Sequence, residues 1–104
     1  MPDAMVIGAR PNGLAAASLL ADAGWSVEVL EAQDQPGGAV RHDRGVDPGF
    51  VSDLCSAFYA LAAASTVPAD LRLKRDGLSW SHAPQVFAHP LRNGRCAVLS
   101  RDPE

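Results

Sequence analysis

A chain of 104 residues with 47% apolar side chains is long enough for one domain with a modest core. Its formal net charge of −3, with no basic stripe to displace counterions, argues against nucleic acid as a partner. The longest apolar run, Leu54 to Ala64, is about half of the roughly 20 residues needed to cross a bilayer. Met1-Pro2-Asp3 leads directly into apolar sequence without a basic segment or cleavage signal, which predicts a cytoplasmic chain with no membrane span. Cys55 and Cys96 form no C-x-x-C pair and read as free thiols; His42, His82 and His89 lack metal-ligand spacing, so no metal is expected.

The first informative stretch runs from Asp3 to Gln33. Met5, Val6 and Ile7 form an apolar run without alternation, as in a parallel strand covered on both faces. Gly8 ends it. Pro11 suits a first helical turn, where its missing N–H costs nothing. Leu14 to Ala23 is rich in helix formers, and Gly24 stands beyond it as a C′ residue. Gly13 and Ala17 share one helix face and permit close packing on a sheet. Trp25 and Ser26 make the return, Val27 to Leu30 form a second strand, and Glu31 closes it. Strand, glycine turn, helix, strand and acid in this order predict a Rossmann-like βαβ unit of α/β class that binds a dinucleotide.

The spacing follows from the chemistry. A helix N-terminus presents unpaired N–H groups and the positive end of a dipole to a pyrophosphate. Glu31 lies where the fingerprint's acid accepts hydrogen bonds from ribose hydroxyls, and it disfavours a 2′-phosphate. The fingerprint asks for glycine at positions 8, 10 and 13, and the chain has Gly8, Arg10 and Gly13. An arginine in the middle either pairs with phosphate or blocks the approach of backbone to pyrophosphate. Two lost hydrogen bonds to a charged phosphate cost roughly 3 to 6 kcal/mol, and an exposed ion pair returns about 1 or less. The expectation is weakened binding.

A glycine doublet follows in Asp34-Gln35-Pro36-Gly37-Gly38-Ala39-Val40-Arg41, on a loop leaving the carboxyl end of the second strand, where ligands pass. Val29-Leu30-Glu31-Ala32, Pro36 to Arg41, Pro48-Gly49-Phe50, Asp53 to Tyr59, Asp76 to Trp80 and Ala83-Pro84 together resemble the N-terminal segment of FAD-dependent phytoene-dehydrogenase-like oxidoreductases, which share the amine-oxidase type of flavin fold. The resemblance implies FAD as cofactor, with Gly8, Gly13 and Glu31 at its ADP part and Gly37, Gly38 and Arg41 along its diphosphate and ribityl region. Arg10, Pro11 and Asn12 of the turn and Ala32 beside the acid complete the candidate cofactor-binding set. Many relatives carry arginine directly after the doublet; Ala39 stands there instead, as in a branch that includes the pyridine-nucleotide-disulfide-oxidoreductase-domain type 2 proteins.

Beyond the doublet, helical spacing of Leu54, Phe58 and Leu61 predicts a helix over Val51 to Ser65, capped by Ser52 or Asp53. Thr66 to Asp70 reads as a loop around Pro68, and Leu71, Leu73, Leu78 and Trp80 alternate weakly. Val86 to Leu91 and Cys96 to Leu99 read as strands joined at Asn93-Gly94 through a type I′ turn, and Arg101 to Glu104 as a polar tail. These readings divide the chain into a dinucleotide-binding core over 1–45 and a helix with a β-hairpin over 46–104, leading toward a substrate domain, so that 1–104 is a partial FAD-binding domain.

The leading functional reading is the FAD-binding segment of a flavin-dependent oxidoreductase, in which hydride passes from a substrate C–H bond to the flavin. The family completes its flavin site near the C-terminus, and no residue in these 104 can be nominated as catalytic. Expected partners are FAD and a small-molecule substrate; that a separate chain supplies the rest of the enzyme is one option the sequence leaves open. Two alternatives stand beside it: a non-catalytic nucleotide-binding module with weakened cofactor binding, which Arg10 favours, and an NAD-binding half-domain, which has no need of Gly37-Gly38.

Overall fold

The computed structural model describes residues 1–101. Strand β1 (Ala4–Ile7) lies parallel to β2 (Val27–Leu30) in the register Ala4 to Val27 through Ile7 to Leu30, and helix α1 (Pro11–Asp22) crosses between them. Both ends of the helix are as the residue types dictate. Pro11 occupies the first turn. At the other end Gly24 takes φ +90°, its N–H donates to the Ala21 carbonyl at 2.9 Å, and Trp25 N–H donates to Leu20 at 3.1 Å. This pair of bonds is a Schellman closure, which needs the left-handed conformation glycine adopts without cost. The close packing of helix on sheet rests on Gly13, where a Cβ would lie 2.1 Å from the Gly8 carbonyl oxygen.

Three further pieces follow. Strands β3 (His42–Asp43) and β4 (Ser52–Asp53) pair antiparallel. Two short helices come next, α2 (Ala60–Ala64) and α3 (Val67–Asp70). Strands β5 (Gln85–Pro90) and β6 (Cys96–Ser100) form an antiparallel hairpin with an irregularity between Gln85 and Phe87. No helix among the described residues is long and apolar enough to cross a membrane.

The structure corrects several expectations. The helix over Val51 to Ser65 is confined to Ala60–Ala64, because Ser52 and Asp53, poor helix formers offered as caps, are taken up by the ladder with β3. Thr66 to Asp70 is a helical turn rather than a loop, with Pro68 inside its first turn, a place that tolerates proline. The hairpin turn is not type I′, which needs positive φ at both central residues. Gly94 has φ +78° and Asn93 does not share that region. The bonds Gly94 N–H to Leu91 O and Leu91 N–H to Arg95 O instead define a three-residue loop closed by a glycine bulge. Arg101, read as the start of a free tail, extends the hairpin edge through its N–H to Pro84 at 3.1 Å. The rest of that tail, 102–104, lies outside the described residues.

The two faces of the β1–β2 pair also differ. Ala4, Val6, Val27 and Val29 are partly covered on the α1 side, whereas Met5 is 58% and Ile7 87% exposed. The unbroken apolar run of Met5 to Ile7 predicts cover on both faces, and the structure supplies it on one. Among the described residues, the buried apolar ones are two alanines, Ala9 and Ala17. The chain exposes 8748 Å², against roughly 5,600 Å² for a compact protein of its mass. Covering the second face therefore takes apolar surface from elsewhere.

Candidate functional site

The site grows from the turn between β1 and α1. Gly8 takes φ +94°, and its N–H donates to Leu30 O at 2.7 Å, extending the parallel ladder by one bond. Ala9 is buried at 4% exposure. Its N–H donates to Glu31 Oε2 at 2.7 Å, and its carbonyl accepts from Gly37 N–H at 2.8 Å. One alanine backbone thus fastens the first glycine turn to the acid of β2 and to the second glycine loop.

Arg10 is the N-cap of α1, with φ −79° and ψ 167°. This is ordinary extended backbone, so the middle position of the fingerprint imposes no conformation here that an L-residue resists. The first helical bond runs from Leu14 N–H to Arg10 O at 2.9 Å, and no side chain caps the helix. Pro11 has no N–H, which leaves the amides of Asn12 and Gly13 directed out of the helix end for an anion.

Glu31 is half-buried. Its carboxylate is held below the ordinary value of 4.5 chiefly by the Gln33 N–H, then by the Ala9 N–H, against a smaller opposing effect of burial. The Ala32 N–H and the Arg10 charge add to the lowering. Gln33 N–H reaches Oε1 at 3.0 Å, so each oxygen has one backbone donor. A carboxylate offers about four acceptor directions, which leaves capacity for the two hydroxyls of a ribose.

The second glycine loop closes over this turn. Gly37 has φ +113° and Gly38 φ +60°. Arg41 Nε donates to Gly38 O at 2.9 Å, and Val40 N–H to Gly37 O at 3.0 Å. A cleft of about 570 Å³ results, lined by Arg10, Pro11, Asn12, Glu31, Gly38 and Arg41 of the expected residues. Gly8, Gly13, Gly37 and Ala32 are not among its lining residues, and Ala32 is exposed beside the acid.

Gln33, Gln35 and Cys55 also line the cleft and were not foreseen. Gln33 carries no signal of its own beyond standing two residues past the acid. Cys55 carries none, because its arrival depends on the β3–β4 pairing and on Leu54 N–H donating to Arg41 O at 2.9 Å.

The arrangement can do one thing well. Two guanidinium side chains, two unpartnered helix amides and a carboxylate on the rim suit a diphosphate with a ribose beside it. Residues 6–67 match the family model of the NAD(P)-binding Rossmann-like domain. The chain belongs to that family. The NAD(P)-binding Rossmann-like region thus contains β1 from Val6 onward, α1, β2, both glycine loops and the β3–β4 pair.

Among curated proteins, the chain is 48% identical over 50 residues to an L-amino-acid oxidase of Daboia russelii. It is 46% identical over 50 residues to that of Vipera ammodytes ammodytes and 46% over 52 residues to that of Echis ocellatus. These alignments cover 48 to 50% of this chain and 10% of each relative. The chain therefore shares only a short segment of the curated relatives it matches. No solved structure matches.

Proposed function

We propose that this chain is the nucleotide-binding segment of a flavin-dependent oxidoreductase of the amine-oxidase type and that its cleft holds the ADP part of FAD. The observation that carries the reading is the convergence of the α1 N-terminus, Glu31 and the Gly37-Gly38 loop on one cleft. A dinucleotide domain for NAD needs the first two features, whereas a second glycine loop fastened to the first by the bond from Gly37 to Ala9 suits a ligand that continues past its diphosphate. The L-amino-acid oxidase relatives support an oxidoreductase. The phytoene-dehydrogenase-like type rests on the motifs from Pro48 to Tyr59 and Asp76 to Trp80.

The residues fit the cofactor. Helix amides at Asn12 and Gly13 and the guanidinium groups of Arg10 and Arg41 would hold the diphosphate and Glu31 would orient the ribose, while the bare Cα atoms of Gly37 and Gly38, which face Val40, Arg41 and Arg10, let the second loop fold tightly beside them. FAD, when bound, supplies a hydride acceptor for oxidation of a substrate C–H bond. This chain's part is binding and orientation, and substrate contacts fall to other residues, in the same or another polypeptide.

A fluorescence titration with FAD, FMN and NAD tests this. Saturable binding of FAD, with FMN weaker because it lacks the AMP moiety, is the expected result. A preference for NAD over FAD would support an NAD-binding half-domain instead.

A further inference from the structure

At Gly38 an added Cβ would lie 2.7 Å from Arg10 Cγ, 3.3 Å from Cδ and 3.4 Å from Cβ. The aliphatic stem of the residue that departs from the fingerprint therefore rests on the bare Cα of the second glycine loop. Gly38 holds φ +60°, and two hydrogen bonds bracket the contact: Gly37 N–H to Ala9 O at 2.8 Å and Arg41 Nε to Gly38 O at 2.9 Å. We infer that Arg10 is a positioning residue, whose stem seats the Gly37-Gly38 loop against the first glycine turn and so builds the wall of the nucleotide cleft before any ligand arrives.

The inference rests on the reading of the cleft as a dinucleotide site and reverses the effect expected of an arginine at this place. Three stem carbons packed beside Gly38 withdraw apolar surface from water and oppose opening of the loop. Glycine at position 10 would leave the loop held by one backbone bond from Gly37 and by its own internal turn. With arginine at 10, a side chain at 38 would meet its stem.

Amide hydrogen exchange of the ligand-free 104-residue chain separates the possibilities. Arg10→Gly should speed exchange at Gly37 by about tenfold, as expected for loss of packing worth one to two methylenes. The amides of α1 from Ala16 to Leu20 serve as an internal measure of global folding and should keep their protection. Arg10→Met retains a stem without the charge and should restore protection at Gly37. Unchanged exchange at Gly37 in Arg10→Gly, or failure of Arg10→Met to restore it while the α1 amides stay protected, would overturn the inference. If Arg10→Gly loses protection in α1 as well, the decision passes to Arg10→Met alone. A parallel FAD titration of the wild type addresses the cleft's ligand separately, since absence of binding there leaves the exchange result standing.

Discussion

The backbone N–H of Ala9 and the carboxylate of Glu31, 22 residues apart, are joined at 2.7 Å, so the acid at the end of β2 is locked to the turn that ends β1. Because this bond and that from Gln33 favour the ionised form, the Glu31 pKa lies below 4.5 in the folded chain. The unfolded chain takes up the proton first as pH falls. The stabilisation is therefore complete above 4.5 and is lost as pH drops through the lowered folded value. Urea unfolding of wild type and Glu31→Gln across about pH 3 to 7 should show the wild type losing more stability at the acid end. Parallel pH profiles would contradict this role.

Gly13→Ala sets two effects against each other. Alanine in a helix interior usually gains about 1 kcal/mol over glycine. Here its Cβ meets the Gly8 carbonyl at 2.1 Å, which no rotamer relieves. Displacing α1 from the sheet should cost about 2 kcal/mol or more and decide the sign. Denaturant unfolding should show a net loss.

Arg72 is the non-glycine residue with positive φ, at 55°, among the described residues. It closes α3 as Gly24 closes α1, with Arg72 N–H to Ala69 O and Leu73 N–H to Pro68 O at 2.9 and 3.0 Å. Arg72→Gly should therefore stabilise the chain by about 0.5 to 1 kcal/mol. A lower unfolding midpoint in that variant would count against the strain.

Met5, Ile7 and Leu30 leave a largely apolar sheet face open, interrupted by Glu28 opposite Met5, with Ile7 87% exposed. Such a face favours association of the isolated chain. Ile7→Lys should shift sedimentation toward monomer while changing stability by no more than about 0.5 kcal/mol, the usual range for exposed sites. An unchanged sedimentation profile would remove this face from the association.

The βαβ unit was legible because its signals are local. Pro11 marks one helix end, Gly24 the other, and Gly13 sits where helix meets strand. The segment from Val51 to Tyr59 was misread because a two-residue ladder to His42 and Asp43 outweighs its helical spacing, and no local pattern announces that pairing. Asn93-Gly94 marked the hairpin, but the register that pairs Pro90 with Cys96 sets the loop length and hence the turn type. The doublet at Gly37-Gly38 showed that backbone comes close to something. That Arg10 is one of its neighbours, 28 positions away, is a property of the folded chain alone.

Amide chemical-shift mapping during titration with ADP tests the dinucleotide cleft most directly. The predicted result is saturable shifts concentrated at Asn12, Gly13, Gly38 and the residues flanking Glu31, reduced by roughly thirtyfold or more in affinity when Glu31→Ala removes the ribose acceptor. Saturable shifts gathered instead around Asp3, Gly24 and Trp25, which line a separate shallow pocket, or no shifts at the α1 N-terminus at all, would contradict the account.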